Sequence, residues 1–214
     1  MKRFSIFLLF LIVGCALNAQ DDYRNYVLSR TMLNGTGTSY LDNITYYDGL
    51  GRPFQTVEKA VQSGLPVNKN LATLQEYDAA GREWNSWLPT FAGSSDYLAP
   101  AGIKSSAPGN YDNDSRPYSQ PVYKASPLNR LTAQYGPGAA WYNAERPVKT
   151  EYLLNTNASP LKCIKYGVSS TGGLTGNSTT FYTSGELSVV KTTDEDLNVS
   201  YSFTDKQGRT VLTR

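Results

Sequence analysis

The chain has 214 residues, and its composition and charge exclude several classes of function. It contains no histidine, which is the commonest general base and the usual zinc ligand, so we expect no enzyme activity, no cofactor and no bound metal. The formal net charge is +2 and falls to zero without Lys2 and Arg3, whereas nucleic-acid binding requires a basic excess. A non-catalytic protein that does not bind nucleic acid is therefore expected.

The first nineteen residues have the layout of a secretory signal peptide. Two basic residues precede the apolar run at 4–13, which is too short to cross a bilayer as a helix, and small residues follow. Cleavage after Ala19 is favoured. The alternative is a lipobox, in which Cys15 would be acylated and would anchor the protein to the outer membrane. Either way, the sequence predicts a secreted or cell-surface protein.

Residues 20–214 are interpreted as one all-β domain that follows the signal helix. Strand-like segments alternate with turn sequences, so a meander of antiparallel hairpins is predicted. The predicted strands lie at 25–32, 39–47, 53–61, 71–77, 83–88, 148–154, 161–168, 179–183, 187–192, 199–204 and 210–213. The stretch 89–121 is rich in Pro, Gly and Ser, and it is either an ordered excursion held by its tyrosines or a linker between two sheets.

Three turns share the pattern Asp-x-x-Gly-Arg, preceded by an aromatic or β-branched residue. The aspartate can accept a backbone N–H two residues on, the glycine can adopt a positive φ, and the arginine begins the returning strand. Residues 194–198 form a weaker copy, in which Asn198 is expected to be left-handed. The structural turn residues are Asp48, Gly51, Arg52, Asp78, Gly81, Arg82, Asp205, Gly208 and Arg209.

These turns resemble those of the RHS/YD-repeat family of bacterial surface and toxin-delivery proteins. The segments that carry the resemblance lie at 46–61, 76–89, 115–141 and 193–214. They are similar to the domain of unknown function that precedes the repeats in exported members of this family. The resemblance implies the start of a β-shell that acts as a scaffold in a polymorphic-toxin-like system. Its implied partners are a downstream RHS/YD-repeat region and an effector domain, so the chain is expected to be a fragment of a longer one.

An alternative function is a carbohydrate- or surface-binding β-module that uses exposed aromatic rings. Trp84, Trp87 and Trp141 are the candidate ligand-stacking residues, and cell-surface glycans would then be the partner. Because Trp84 and Trp87 are three residues apart, they are expected on opposite faces of a strand. The acidic residues at 194–196 and 112–114 are interpreted as solvated turns rather than calcium sites. Cys163 is interpreted as a buried strand thiol.

Overall fold

The computed structural model describes residues 24–62, 69–93, 95–176 and 179–214. The predicted signal peptide, its cleavage after Ala19 and the acylation of Cys15 all lie outside the described residues. Within the described ranges, no helix combines the length and the apolar character needed to cross a bilayer.

The described residues form thirteen strands and two short helices. In chain order, these elements are β1 (Asn25–Met32), β2 (Tyr40–Tyr47), β3 (Pro53–Gln62), β4 (Lys69–Tyr77), β5 (Glu83–Phe91), α1 (Pro100–Asn110), β6 (Tyr118–Tyr123), β7 (Leu131–Tyr135), α2 (Ala139–Asn143), β8 (Val148–Leu154), β9 (Gly167–Val168), β10 (Leu174–Thr175), β11 (Ser188–Thr193), β12 (Val199–Thr204) and β13 (Thr210–Thr213).

Eleven of these strands form one antiparallel sheet that follows the order of the chain. The order is β1-β2-β3-β4-β5-β6-β7-β8-β11-β12-β13, and β9 with β10 makes a separate small hairpin. Every neighbouring pair in the large sheet is antiparallel. The prediction of an all-β meander of antiparallel hairpins is therefore confirmed.

One hydrophobic core lies under the first half of the sheet. Burial alternates along β2 and β4, as expected when one face of a strand packs and the other meets solvent. Helix α1 covers this face with Ile103 and Ala107, both completely buried. The buried residues of this first core are Ile44, Tyr46, Val57, Ala72, Leu74, Ala92 and Ile103.

A second, smaller core lies under the last strands. It contains Val189 of β11, Leu187 directly before this strand, Phe203 of β12, and Cys163 from the long connection between β8 and β11. Cys163 is buried, as expected, but it lies outside any strand. The predicted strands at 161–168 and 179–183 are wrong: this region contains β9 and an isolated bridge between Ile164 and Phe181.

The stretch 89–121 contains helix α1, which was not predicted, and its last residues belong to β6. Tyr111 donates its hydroxyl to the Pro89 carbonyl at 2.7 Å. Tyr97 packs edge-on against Tyr46 with ring centroids 5.2 Å apart, and the Tyr46 hydroxyl donates to the Asp96 carbonyl at 2.8 Å. Because β6 pairs with β5, the sheet continues across this stretch.

Candidate functional site

The turn between β2 and β3 is closed by the side chain of Asp48. Its Oδ1 accepts the backbone N–H groups of Leu50 and Arg52, each at 2.9 Å, and its Oδ2 accepts the Arg52 Nε at 2.8 Å. The Asp48 backbone N–H donates to the Arg52 carbonyl at 2.9 Å. Gly51 has a φ of +77°, which glycine adopts without steric cost. We call this five-residue arrangement an Asp corner.

The same Asp corner joins β4 to β5 and β12 to β13. Asp78 and Asp205 each accept the backbone N–H groups two and four residues on, at 2.9 Å, through Oδ1. Their Oδ2 atoms accept the Nε of Arg82 and Arg209 at 2.7 and 2.8 Å. All nine residues of the three predicted turns thus have equivalent positions.

The aspartates of these corners stay ionised because their own turns stabilise the charge. For each of them, the backbone N–H of the corner arginine is the main cause that lowers the pKa, and the guanidinium lowers the pKa further. Each carboxylate is therefore fully engaged in closing its own hairpin.

Residues 194–198 form a fourth Asp corner with two substitutions. Asp194 Oδ1 accepts the N–H groups of Asp196 and Asn198 at 3.0 and 2.8 Å, and the Asn198 amide donates to Oδ2 at 2.9 Å in place of an arginine. The residue with positive φ is Leu197, at +70°, and not Asn198 as predicted. Asp194 accepts the N–H groups of the residues two and four positions after it. The chain can present both groups to one carboxylate when the residue between them, Leu197, takes the left-handed conformation.

An arginine–tyrosine contact couples the first two arginine-containing corners. The Arg52 guanidinium lies over the ring of Tyr77, 4.2 Å from its centroid, and the Tyr77 hydroxyl donates to the Pro53 carbonyl at 2.7 Å. Tyr77 directly precedes Asp78, so the arginine of one corner holds the aromatic residue of the next. Burial raises the pKa of Tyr77 above its ordinary value.

The second Asp corner repeats this contact with the end of β6. Arg82 lies over the ring of Tyr123 at 4.4 Å, and the Tyr123 hydroxyl donates to the Glu83 carbonyl at 3.1 Å. In both cases the arginine precedes a strand and the tyrosine ends the neighbouring strand. In both cases the acceptor is the residue after the arginine.

The connection between β6 and β7 is an expanded corner that the sequence analysis missed. The Lys124 N–H donates to the Arg130 carbonyl at 2.8 Å, as Asp48 does to Arg52, and Asn129 has a φ of +49°. Arg130 lies over Tyr152 of β8 at 4.9 Å. This connection is two residues longer than an Asp corner and has a lysine in place of the aspartate, so it does not match the pattern Asp-x-x-Gly-Arg. Tyr123 and Arg130 nevertheless flank it, as an aromatic residue and an arginine flank the Asp corners.

These connections lie at one end of the sheet because the strands alternate in direction. The corners of Asp48, Asp78 and Asp205 and the 124–130 connection each follow a strand that runs toward this end. The Asp194 corner lies at the opposite end, between β11 and β12. The sheet therefore has one end at which arginines and tyrosines link successive hairpins.

The three tryptophans lie in different environments. Trp84 is 36 % exposed and lines a groove of about 370 Å³ together with Ser86, Ser119 and Gln134. Trp87, in contrast, packs against the first core, and its indole N–H donates to Glu76 at 2.9 Å. The ring of Trp87 is therefore used in the fold, and Trp84 and Trp141 are the more exposed of the three candidate stacking residues. Trp141 lies on α2 and is 48 % exposed.

Glu76 is the centre of a polar cluster between β4, β5 and α1. Burial alone would raise its pKa, but the donors Lys104, Trp87 and Asn85 together lower the pKa of this carboxyl below its usual range. The cluster ties the helix to the sheet.

Of the acidic residues at 112–114 and 194–196, Asp114 and Asp194 use their carboxylates in local structure. Asp114 accepts the N–H groups of Arg116 and Ala139, at 2.6 and 3.0 Å, and so fixes the start of α2. In the four described ranges, no group of three or more carboxylate and thiol side chains is arranged to hold a metal ion.

Comparisons with known proteins identify one family. Neither the curated proteins nor the solved structures include a significant match to the chain. A protein-family model described as "Domain of unknown function (DUF6443)" matches residues 20–154, well over half of the chain. The matched residues span β1 to β8, and so include the corners of Asp48 and Asp78 and the contacts of Arg52 with Tyr77 and of Arg82 with Tyr123. The chain therefore belongs to the DUF6443 family.

Proposed function

We propose that the chain is a non-catalytic structural module of an exported RHS/YD-repeat protein. In this proposal the eleven-stranded sheet forms part of a shell wall, and the protein is secreted or attached to the cell surface. The wall encloses or supports the downstream repeats and the effector domain of a longer polypeptide.

The observation that carries the proposal is the coupling between successive hairpins. Four Asp corners connect strands that are neighbours in one sheet. In two of these corners the arginine lies over a tyrosine of the next hairpin, at the end of its first strand. Such a sheet grows by adding one hairpin after another without a change in its local geometry. A wall built in this way is what a repeat protein requires, since each unit contacts its neighbours along the chain.

Detection of the native polypeptide tests this proposal. The source cells are fractionated, and antibodies raised against residues 20–214 locate and capture the protein. The captured polypeptide is then analysed by peptide mass spectrometry. We expect it in the medium or on the cell surface, in a polypeptide that also contains further YD-type repeats. A cytoplasmic protein, or one whose peptides include no such repeats, contradicts the proposal.

A second candidate function is favoured by the groove beside Trp84. Its lining combines an exposed indole with hydroxyl and amide side chains, which is the composition that binds sugars through ring stacking and hydrogen bonds. This function would make the module a carbohydrate- or surface-binding domain. It is compatible with the same fold, because the groove lies on the face of β5 opposite the first core.

A glycan array with the purified chain tests the second candidate. Specific binding that is lost in Trp84→Ala and retained in Trp141→Ala would support a sugar site in this groove. Trp87 is unsuitable for this test because its removal would disturb the core. Absence of binding, or binding that both variants retain, contradicts the candidate site.

A further inference from the structure

We propose that β13 binds an antiparallel strand that ends in tyrosine, with the tyrosine ring stacked on Arg209 and its hydroxyl bonded to the Thr210 carbonyl. The partner is a hairpin of the type already present in this chain, in which the tyrosine is followed by an Asp corner. The inference rests on the proposed function, because it specifies how the sheet would continue.

Two complete precedents within the chain define the recognition. Arg52 and Arg82 each precede a strand, and the guanidinium of each lies over the ring of the tyrosine that ends the adjacent antiparallel strand. The hydroxyl of that tyrosine always bonds to the carbonyl of the residue after the arginine, Pro53 or Glu83. By the same geometry, Arg209 precedes β13, and Thr210 is the residue after it.

Arg209 has the same position in its corner as Arg52 and Arg82, but its side chain is much more exposed. Its Nε and Nη2 contact Asp205 at 2.8 and 2.7 Å, as in the other corners, so the guanidinium is held in the same orientation. Yet its side chain is 75 % exposed, compared with 30 % for Arg52 and 27 % for Arg82. The difference corresponds to the tyrosine and the strand that cover the other two.

The backbone of β13 is oriented to accept a strand. Tyr201 and Arg214 exchange two hydrogen bonds, at 2.8 and 2.9 Å, which makes them a hydrogen-bonded pair at the end of the β12–β13 ladder. Hydrogen-bonded and non-hydrogen-bonded pairs alternate along an antiparallel ladder. The N–H and C=O groups of Thr213, which lies between Arg214 and Leu212 in the regular part of this ladder, therefore point away from β12, toward the open edge, where strands are readily added.

A peptide that copies residues 69–91 tests this inference, because it contains β4, Tyr77, an Asp corner and β5. Labelled peptide is titrated with the full chain by fluorescence anisotropy, and hydrogen exchange locates its position. The variants are Tyr77→Leu in the peptide and Arg209→Ala or Arg209→Lys in the protein. Lys206→Ala is the matched control. It also removes an exposed cation from the Asp205 corner, but Lys206 does not have the position of the arginines that stack on tyrosine.

We expect the peptide to bind and to protect the amide of Thr213. Either Tyr77→Leu or Arg209→Ala should weaken binding by about three- to tenfold, the range for an exposed cation–π contact with one hydrogen bond. When the Tyr77→Leu peptide is combined with the Arg209→Ala protein, the affinity should be no lower than with either change alone, because both changes remove the same contact. Arg209→Lys should resemble Arg209→Ala, since an ammonium lacks the planar stacking surface, and Lys206→Ala should bind normally.

Several outcomes overturn the inference. They are the absence of binding, equal affinity for the tyrosine and leucine peptides, protection at β1 instead of β13, and association of the chain with itself through β13. A folded circular-dichroism spectrum for Arg209→Ala and Arg209→Lys establishes that a loss of binding is local. If the peptide binds as expected but the native polypeptide contains no repeats, the proposed function fails while the strand-binding edge stands.

Discussion

Leu197 holds a backbone conformation that the other Asp corners assign to glycine. Its φ of +70° brings the Cβ of an L-residue close to the following carbonyl, which costs roughly 1–2 kcal/mol. The side chain is 61 % exposed and recovers little of this cost by packing. The Asp194 corner therefore retains its hydrogen bonds at the expense of local strain.

Replacement of Leu197 by glycine should stabilise the protein. We expect Leu197→Gly to raise the free energy of unfolding by about 1 kcal/mol, because the relief of strain exceeds the added entropy of the unfolded chain. Urea denaturation followed by circular dichroism measures the change. Leu128→Gly is the control at another exposed leucine, and it should give no gain; a decrease for Leu197→Gly would contradict the prediction.

The glycines of the first two arginine-containing corners should respond differently to alanine. Both have positive φ, so Gly51→Ala and Gly81→Ala should each lower the free energy of unfolding by about 1–2 kcal/mol. A Cβ at Gly51 meets open space, whereas a Cβ at Gly81 lies 3.0 Å from Nη1 of Arg52. Because Arg52 is held by Asp48 and Tyr77, Gly81→Ala should be the more destabilising; equal denaturation midpoints would refute this order.

At the scale of elements, helix α1 converts one face of β2 to β5 into a core. Ile103 and Ala107 are four residues apart and share the face that packs on the sheet, while Lys104 reaches the Glu76 carboxylate. Asn110 also donates to the Thr90 hydroxyl at the helix end. A helix with glycine and two prolines in its sequence is thus held by tertiary contacts rather than by intrinsic propensity.

Truncation of Ile103 should reveal how far the sheet depends on this helix. We expect Ile103→Ala to lower the free energy of unfolding by about 2–5 kcal/mol, because it leaves a cavity at a completely buried position. Ser106→Ala, on the exposed face of α1, is the control and should change stability by less than about 0.5 kcal/mol. A small effect of Ile103→Ala in thermal or urea unfolding would contradict the packing role of α1.

At the scale of the whole molecule, ionised carboxylates hold successive hairpins along the sheet. Asp48, Asp78, Asp194 and Asp205 all have lowered pKa values, chiefly through hydrogen bonds from their own corners. Glu76 joins them between sheet and helix, where its donors outweigh the effect of burial. Carboxylates whose ionised form is favoured thus occur in both halves of the described sheet.

Acidification should therefore destabilise the protein. A carboxyl whose pKa is lower in the folded state contributes stability above its unfolded pKa, and this contribution is lost as the pH falls through the folded pKa. We expect the melting temperature to be nearly constant from about pH 7 to 5 and to fall below about pH 4. Asp78→Asn should flatten this dependence; a melting temperature that does not fall at low pH would contradict the prediction.

How much of the fold could be predicted depended on the range of the interactions. The Asp corners were recognisable because all of their hydrogen bonds fall within five residues, and β1 and β8 were predicted with their observed bounds. Asparagine has a left-handed propensity of its own, but the hydrogen bonds accepted by Asp194 place the positive φ at Leu197 and not at Asn198. The strands predicted at 161–168 and 179–183 had suitable residues but meet in only one isolated bridge.

The sequence by itself determined where the Asp corners turn the chain, that the strands joined by them alternate in direction, and that histidine chemistry is excluded, since each follows from residue identity or from contacts within one turn. Only the tertiary structure decided that Pro100 to Asn110 is helical, that Trp87 is used in the core, and that Arg52 and Arg82 hold Tyr77 and Tyr123. These features join residues that are distant in the chain. Their free energy arises from burial and from geometry that exists only after the strands have paired.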